Sequence, residues 1–309
     1  MTSAAPTEVR PRQHPQTAVL YLSGIVLALT IFAALVGLFW SPPEVGATFT
    51  SVRGEPVELY GEGLYRYDTA FKGGANRGAD LVTLAIAVPA LAIALHRYRR
   101  GSLQALLVAA GVLTWFLYLY ASLALGTFYN ELFLVYVALF SASLFALGLA
   151  LRSIPPSVLT RLDDHAPRRG LVRLMLAGGA VTAIVWGSTL VGAAITGDPP
   201  KLLDHSTTMV TDALDLAIIT PATLVCAYLL HHRRRDGWLF VLPLLSLLVM
   251  LFPMIAAQTA FQLEADVSFE PPEIIGPIAG FVAVAAIALP LLIRTVRAAG
   301  SLPRDVDGH

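Results

Sequence analysis

Charge is scarce in this sequence. Only 14% of its 309 residues are charged and 56% are hydrophobic, where a soluble domain carries about 25% charged residues. That scarcity excludes an ordinary soluble globular chain. Cysteine is nearly absent: the single Cys226 rules out an intrachain disulfide and leaves the redox compartment unreadable. Lysine occurs only at Lys72 and Lys201, so nearly all positive charge is arginine. A nucleotide-binding loop, a nucleophile elbow and a zincin motif are all missing, which weighs against the enzyme classes they mark. Histidines deep in the apolar runs are missing as well. His96, His231 and His232 stand among arginines at run ends, where snorkelling accounts for them and haem ligation does not.

What is present is apolar sequence in runs of membrane length. The expected architecture is an all-α polytopic membrane protein with eight spans, at about 17–40, 80–96, 102–124, 130–151, 171–195, 212–231, 237–260 and 274–294. The first run, at roughly 24 residues, exceeds the 7–15 of a cleavable signal and reads as a retained anchor. Arginine tests the count independently. Sixteen of the 21 basic residues fall in the tails or in the connections after the even-numbered spans, among them Arg97, Arg99, Arg100, Arg161, Arg168, Arg233, Arg234 and Arg235. The positive-inside rule therefore predicts that both termini are cytoplasmic. The abundance of arginine, alanine, leucine and valine points to a GC-rich prokaryotic genome, hence a prokaryotic plasma membrane.

One pattern occurs twice. "DLVTLAIAVPALAIALHRYRRG" (80–101) and "DLAIITPATLVCAYLLHHRRRDG" (215–237) align without gaps, setting Asp80 on Asp215, His96 on His231 and Arg99-Arg100 on Arg234-Arg235. Gly24 and Leu35-Val36-Gly37 of the first span match Gly179 and Leu190-Val191-Gly192 of the fifth, and 131–152 matches 273–294. The expected organisation is a tail (1–16), a four-helix repeat (17–152), a cytoplasmic linker (153–170), a second repeat (171–294) and a tail (295–309). Four spans per unit is an even number, so the repeats enter from the same side and are parallel. The first unit carries a long outer loop, 41–79. Its Gly-Glu-Pro turn between two β-prone stretches predicts a small hairpin, and Tyr65, Tyr67 and Asp68 follow it toward span two. A loop of that length is expected to be functional, as a cap over the outer surface.

The stretches "RGADLVTL" (77–84) and "YNELFLVYVALFS" (129–141) resemble motifs of an uncharacterised group of bacterial multi-pass membrane proteins. The resemblance is clearest over 62–150 and weaker in the second half. It implies a multi-pass topology and carries no activity with it.

Carboxylates collect at the outer ends: Asp68, Asp80, Glu131, Asp198, Asp204, Asp212, Asp215, Glu264, Asp266, Glu270 and Glu273. Spans two, four, six and eight begin there. Helix capping accounts for Asp80, Glu131, Asp215 and Glu273 without any function, and Arg77 is within reach of Asp80 one turn earlier. Asp212 and Asp215 stand apart, because at i,i+3 they share a helix face and only one can be the cap. The other must lie deeper, where an ionisable group is costly. The expected substrate-binding residues are Asp212, Asp215, Glu131, Gln258 and Trp186, in a pocket between spans five, six and seven. Asp204 and His205 are expected as ligands if a divalent cation is held. The small-residue rows Gly179/Ala183/Gly187 and Gly276/Gly280 predict that spans five and eight each pack closely against neighbours.

Three functions compete at this stage. A transporter or permease for a cation or small solute is favoured by the parallel repeat, the proline-kinked second half and the acidic outer ends. A membrane-embedded enzyme with an acid–base or metal site at the outer leaflet is the alternative, and a sensor or assembly partner is the third. The expected partners are the lipid bilayer and a small solute or cation, with no nucleic acid.

Overall fold

The computed structural model describes residues 14–300 apart from 47, 52, 55, 201, 202, 204 and 205, and leaves aside the side chains of 14, 15, 272–274, 276 and 277. Among the described residues, eight helices are long and apolar enough to cross a membrane. They are His14–Phe39, Ala70–Arg99, Leu103–Gly126, Phe133–Arg152, Arg168–Thr196, Val210–His231, Trp238–Glu264 and Pro271–Ala299, called the first to eighth spans below. The chain is an integral, multi-pass membrane protein. An added amphipathic helix, Pro156–His165, lies in the segment between the fourth and fifth spans. It is tethered by the Arg168–Asp163 ion pair and by Trp238 Nε1, which donates to Asp163 Oδ1 at 3.0 Å.

The two ends of the bundle differ. At one end, β1 (Thr48–Thr50) and β2 (Pro56–Glu58) form an antiparallel hairpin, with Phe49 opposite Val57. The other end carries the arginines of the interhelical turns. We call these the hairpin end and the arginine end.

The second span corrects an expectation. It begins at Ala70, ten residues before the apolar run, with Thr69 as N-cap accepting the N–H of Lys72. Asp80 therefore lies nearly three turns inside a helix and caps nothing. The extra turns, "AFKGGANRG", are polar yet partly buried, because they pack on the seventh span and under the loop that follows the hairpin. Glycine makes that packing possible. A Cβ on Gly78 would sit 2.5 Å from the backbone nitrogen of Gln258, and one on Gly74 would sit 2.9 Å from that of Gln262. Arg77 also turns away from Asp80 and donates to Tyr60 Oη, Glu62 and the Leu38 carbonyl.

The sixth span likewise starts early, at Val210, so Asp215 is no cap either. Both the second and the sixth spans contain a wide π-helical turn, Thr83–Ala87 and Asp215–Ile219, each followed by a proline, Pro89 and Pro221. Proline supplies no N–H and its ring crowds the preceding carbonyls, and a wide turn absorbs both problems. The backbone features of these spans recur at a constant spacing of 132 residues: wide turns at 83 and 215, prolines at 89 and 221, helix ends at 99 and 231. The left-handed residue after each helix keeps the same spacing, Gly101 (φ 88°) and Arg233 (φ 56°). The gap-free sequence alignment set Asp80 over Asp215. The backbone sets Asp80 over Asp212 and Thr83 over Asp215.

Packing separates the halves. The first four spans close on themselves, with the first span against both the second and the fourth. Among the last four, the fifth packs on the sixth but touches the eighth only lightly. Glycines 178, 187, 192 and 280 have open space where a Cβ would go, and only Gly179 of the fifth-span row is closely approached, by Thr223 and Leu224. The fifth span does pack on a neighbour, the sixth, and the eighth on the seventh, but of the fifth-span glycines expected to mediate this only Gly179 is used. The exposed faces of the fifth and eighth spans are Val181, Ile184, Val191 and Ile287, side chains suited to lipid.

Candidate functional site

The carboxylates inside the second and the sixth spans stand in opposite circumstances. Asp80 is 1% exposed and its Oδ2 accepts the Tyr65 hydroxyl at 2.7 Å. Tyr136 Oη donates to Tyr65 Oη in turn, at 3.4 Å. Tyr65 comes from the loop after the hairpin. Burial first, then the neighbouring Asp80 and Tyr136, pushes its phenol well above the ordinary value, so the hydroxyl stays protonated and stays a donor. Gly37 of the first span completes the enclosure, because a Cβ there would fall on the Asp80 carboxylate. Trp115 Nε1 donates to Thr83 Oγ1 at 3.1 Å beside it. This carboxylate is plugged.

The plug is held by its own chain. Arg66 pairs with Glu131, donates to the Gly63 carbonyl at 3.3 Å, and lies over the Tyr67 and Trp40 rings at 4.5 and 5.6 Å. The Arg66 hydrogen bond draws the Glu131 carboxyl below its ordinary value. Asp68, 1% exposed, accepts the Phe128 N–H at 2.9 Å on Oδ1, while Oδ2 is buried without a partner among the described residues. Burial raises Asp68 from 3.8 to about 7, against the opposing pull of that N–H and of Lys72.

The second half is arranged otherwise. Asp215 is held from two sides: Oδ1 accepts Tyr118 Oη at 2.9 Å from the third span, and Oδ2 accepts Trp186 Nε1 at 3.0 Å from the fifth. Asp212, one turn nearer the hairpin end, is 2% exposed and its Oδ2 has no hydrogen-bond partner among the described residues. Both aspartates line a cavity of about 430 Å³. Its walls come from the second, third, fifth, sixth and seventh spans, with Phe281 from the eighth. The cavity exists because of a packing asymmetry. The second span lies tightly along the seventh, whereas the matching pair, sixth and third, touch lightly where Val210 meets Gly126.

Of the five substrate-binding residues expected from sequence, Asp212, Asp215, Gln258 and Trp186 line this one cavity. Glu131 does not; it pairs with Arg66 near the surface, its side chain 45% exposed. Asp204 and His205 lie outside the described residues, as does the Glu273 side chain. Among the described residues no three histidine, cysteine or acidic groups converge as a metal site. Sequence reasoning noticed Tyr65 as part of a loop cluster, without its carboxylate partner, and did not count Tyr118 among the site residues. Nothing in either local sequence marks a carboxylate partner, because each contact joins distant segments. Lys72 and Asn76, also on the cavity wall, were hidden by the assignment of 41–79 to a loop.

The arrangement can bind. A cavity of several hundred Å³ with apolar walls and a few convergent polar groups has the proportions of a small-molecule site, and a buried acceptor without a partner favours a donor that supplies one. Comparison with family models, curated proteins and solved structures gives no match.

Proposed function

We propose that this protein is a transporter or permease for a small cationic solute, with its binding site in the cavity between the two halves. The observation that carries the reading is the pair of buried Asp212 and half-buried Asp215 on the wall of a solute-sized cavity inside a membrane bundle. Intramembrane carboxylates are costly and mark ion and substrate paths. In this reading the halves are a parallel repeat related by an axis along the membrane normal. The recurrence of wide turn, proline, helix end and left-handed residue at 132-residue spacing supports it. The arginine end faces the cytoplasm by the positive-inside rule, so the cavity lies toward the outer half. Kinked spans around a site at a repeat interface are an arrangement suited to alternating access.

Uptake into proteoliposomes with an inside-negative potential tests this. A panel of organic and inorganic cations should include at least one that accumulates, and Asp212→Asn or Asp215→Asn should abolish its uptake while the protein still purifies as a folded monodisperse species. No accumulation of any cation above protein-free vesicles would end the transporter reading.

A further inference from the structure

The first half shows what the second half lacks. At Asp80 a phenol hydroxyl, carried in on a loop, sits 2.7 Å from the carboxylate, with aromatic side chains around it. At Asp212 no side chain among the described residues does this, the Oδ2 acceptor has no partner among them, and the space is a cavity instead. Tyr65 thus marks in one half the place that stands open in the other. We propose that the cavity takes a small primary or secondary amine in its ammonium form, its charged nitrogen on Asp212 and an apolar, ring-sized body against Trp115, Trp186 and Phe281. This names the substrate class of the site described above and rests on the transport reading only in calling the ligand a substrate.

The chemistry of the walls selects the class. Asp215 has both oxygens engaged by Tyr118 and Trp186, so it is fixed in place and contributes charge more than a vacant hydrogen-bonding position. Asp212 supplies the vacant acceptor. Two carboxylates one turn apart make the site attractive to a positive charge and repellent to an anion, and a charge-assisted hydrogen bond is roughly twice as strong as a neutral one. Lys72 is turned toward Ser206 of the segment before the sixth span. A metal ion would find one available carboxylate oxygen amid mostly carbon walls, far short of the six to eight oxygens calcium takes. The remaining wall carries threonine and serine hydroxyls and the amides of Asn76 and Gln258, but it is mostly leucine, valine, methionine and aromatic rings, which reward an apolar body and stack or make cation–π contacts with an ammonium.

The test uses the purified full-length protein in detergent and measures binding, so that it is independent of transport. Calorimetric titration with 2-phenylethylamine and 4-phenylbutylamine is compared with the alcohols and the carboxylates of matching skeleton. Saturable binding of an amine is expected, with the alcohols at least tenfold weaker and the carboxylates without measurable binding. Asp212→Asn should weaken the amine at least tenfold. Its ligand-free melting temperature should not fall, since it removes an unpartnered buried carboxylate and leaves the fold's hydrogen bonds intact. Trp186→Phe, which frees one Asp215 oxygen and changes the wall, should alter the affinity without removing it. Failure of both amines to bind, equal binding of the alcohols, or full affinity in Asp212→Asn would each overturn the proposal. Amine binding without uptake into proteoliposomes would leave the site as proposed and remove the transporter reading instead.

Discussion

Asp80 and Asp212 each lie three residues before a wide turn of their helix, and their fates differ because of what reaches them. The first half has a long segment after its hairpin that delivers Tyr65 to Asp80 and is locked by Arg66, Glu131 and Asp68. The second half has no such delivery to Asp212 among the described residues, and its fifth and eighth spans barely meet. The difference teaches how one helical pattern can serve two purposes. A filled carboxylate position ties loop to bundle and adds rigidity; an unfilled one leaves binding energy unspent until a ligand arrives. The glycines follow the same division. Gly37, Gly73, Gly74, Gly78 and Gly111 of the first half are pressed against neighbours, whereas Gly178, Gly187, Gly192 and Gly280 of the second face open space.

The comparison breaks most easily at the glycines. Gly78→Ala drives a methyl onto the backbone of Gln258, where no rotamer change can relieve it; overpacking of this kind costs about 1–3 kcal/mol or more. A fall in Tm of several degrees is expected in detergent, and Gly187→Ala, with nothing within 4 Å, should change Tm little or raise it, as alanine favours helix. Equal effects would mean that the two halves are packed alike.

Tyr65→Phe comes next. It leaves Asp80 buried without its donor, which costs about 1–3 kcal/mol, whereas Asp212→Asn should be near neutral because no donor is lost. Thermal melting of the two variants side by side sharpens the contrast between a plugged and an open carboxylate. If Tyr65→Phe were silent, the plug would be decoration.

Asp68 gives a smaller and pH-dependent effect. Its folded value of about 7 lies above the ordinary 3.8, so the folded state binds the proton more tightly. The resulting stabilisation is full below about pH 4 and is lost as pH rises through about 7. Asp68→Asn should therefore remove a decline in melting temperature between pH 5 and 8 that the unaltered protein shows. A wild-type melting profile that rises across this interval, with the variant rising in parallel, would contradict this assignment.

Glu131→Gln is the mildest. The Arg66–Glu131 pair is half open to solvent on the glutamate side, and pairs of that kind contribute about 0–1 kcal/mol. A small loss of stability is expected, growing smaller in high salt, with no effect on ligand binding at the cavity. Loss of binding in this variant would return Glu131 to the site from which its position removes it.

Much of this could be read from the residues, and the failures have specific causes. The eight spans were legible because apolar runs of membrane length have few other uses, and Asp212 and Asp215 were legible as a pair that capping could not absorb. The start of the second span was not. "AFKGGANRG" is too polar for an apolar window, and it is helical because Thr69 caps it and because glycines let it lie on the seventh span. The sequence also offers two registers between the halves. An aspartate lies at both 212 and 215; the aligned acids pair Asp80 with Asp215, whereas the spacing of the wide turns and the left-handed residues pairs it with Asp212.

Sequence alone determined that this chain lives in a membrane, how many times it crosses, and that acids crowd one end and arginines the other. Those properties are set by local composition, since each helix must satisfy its own backbone in lipid whatever its neighbours do. Tertiary structure decided which carboxylate is plugged and which is open. That choice depends on a loop returning from 15 residues away to meet Asp80, and on the sixth span standing off the third while the second lies flush on the seventh. Contacts between distant segments are fixed by shape and packing, and no single stretch of sequence contains them.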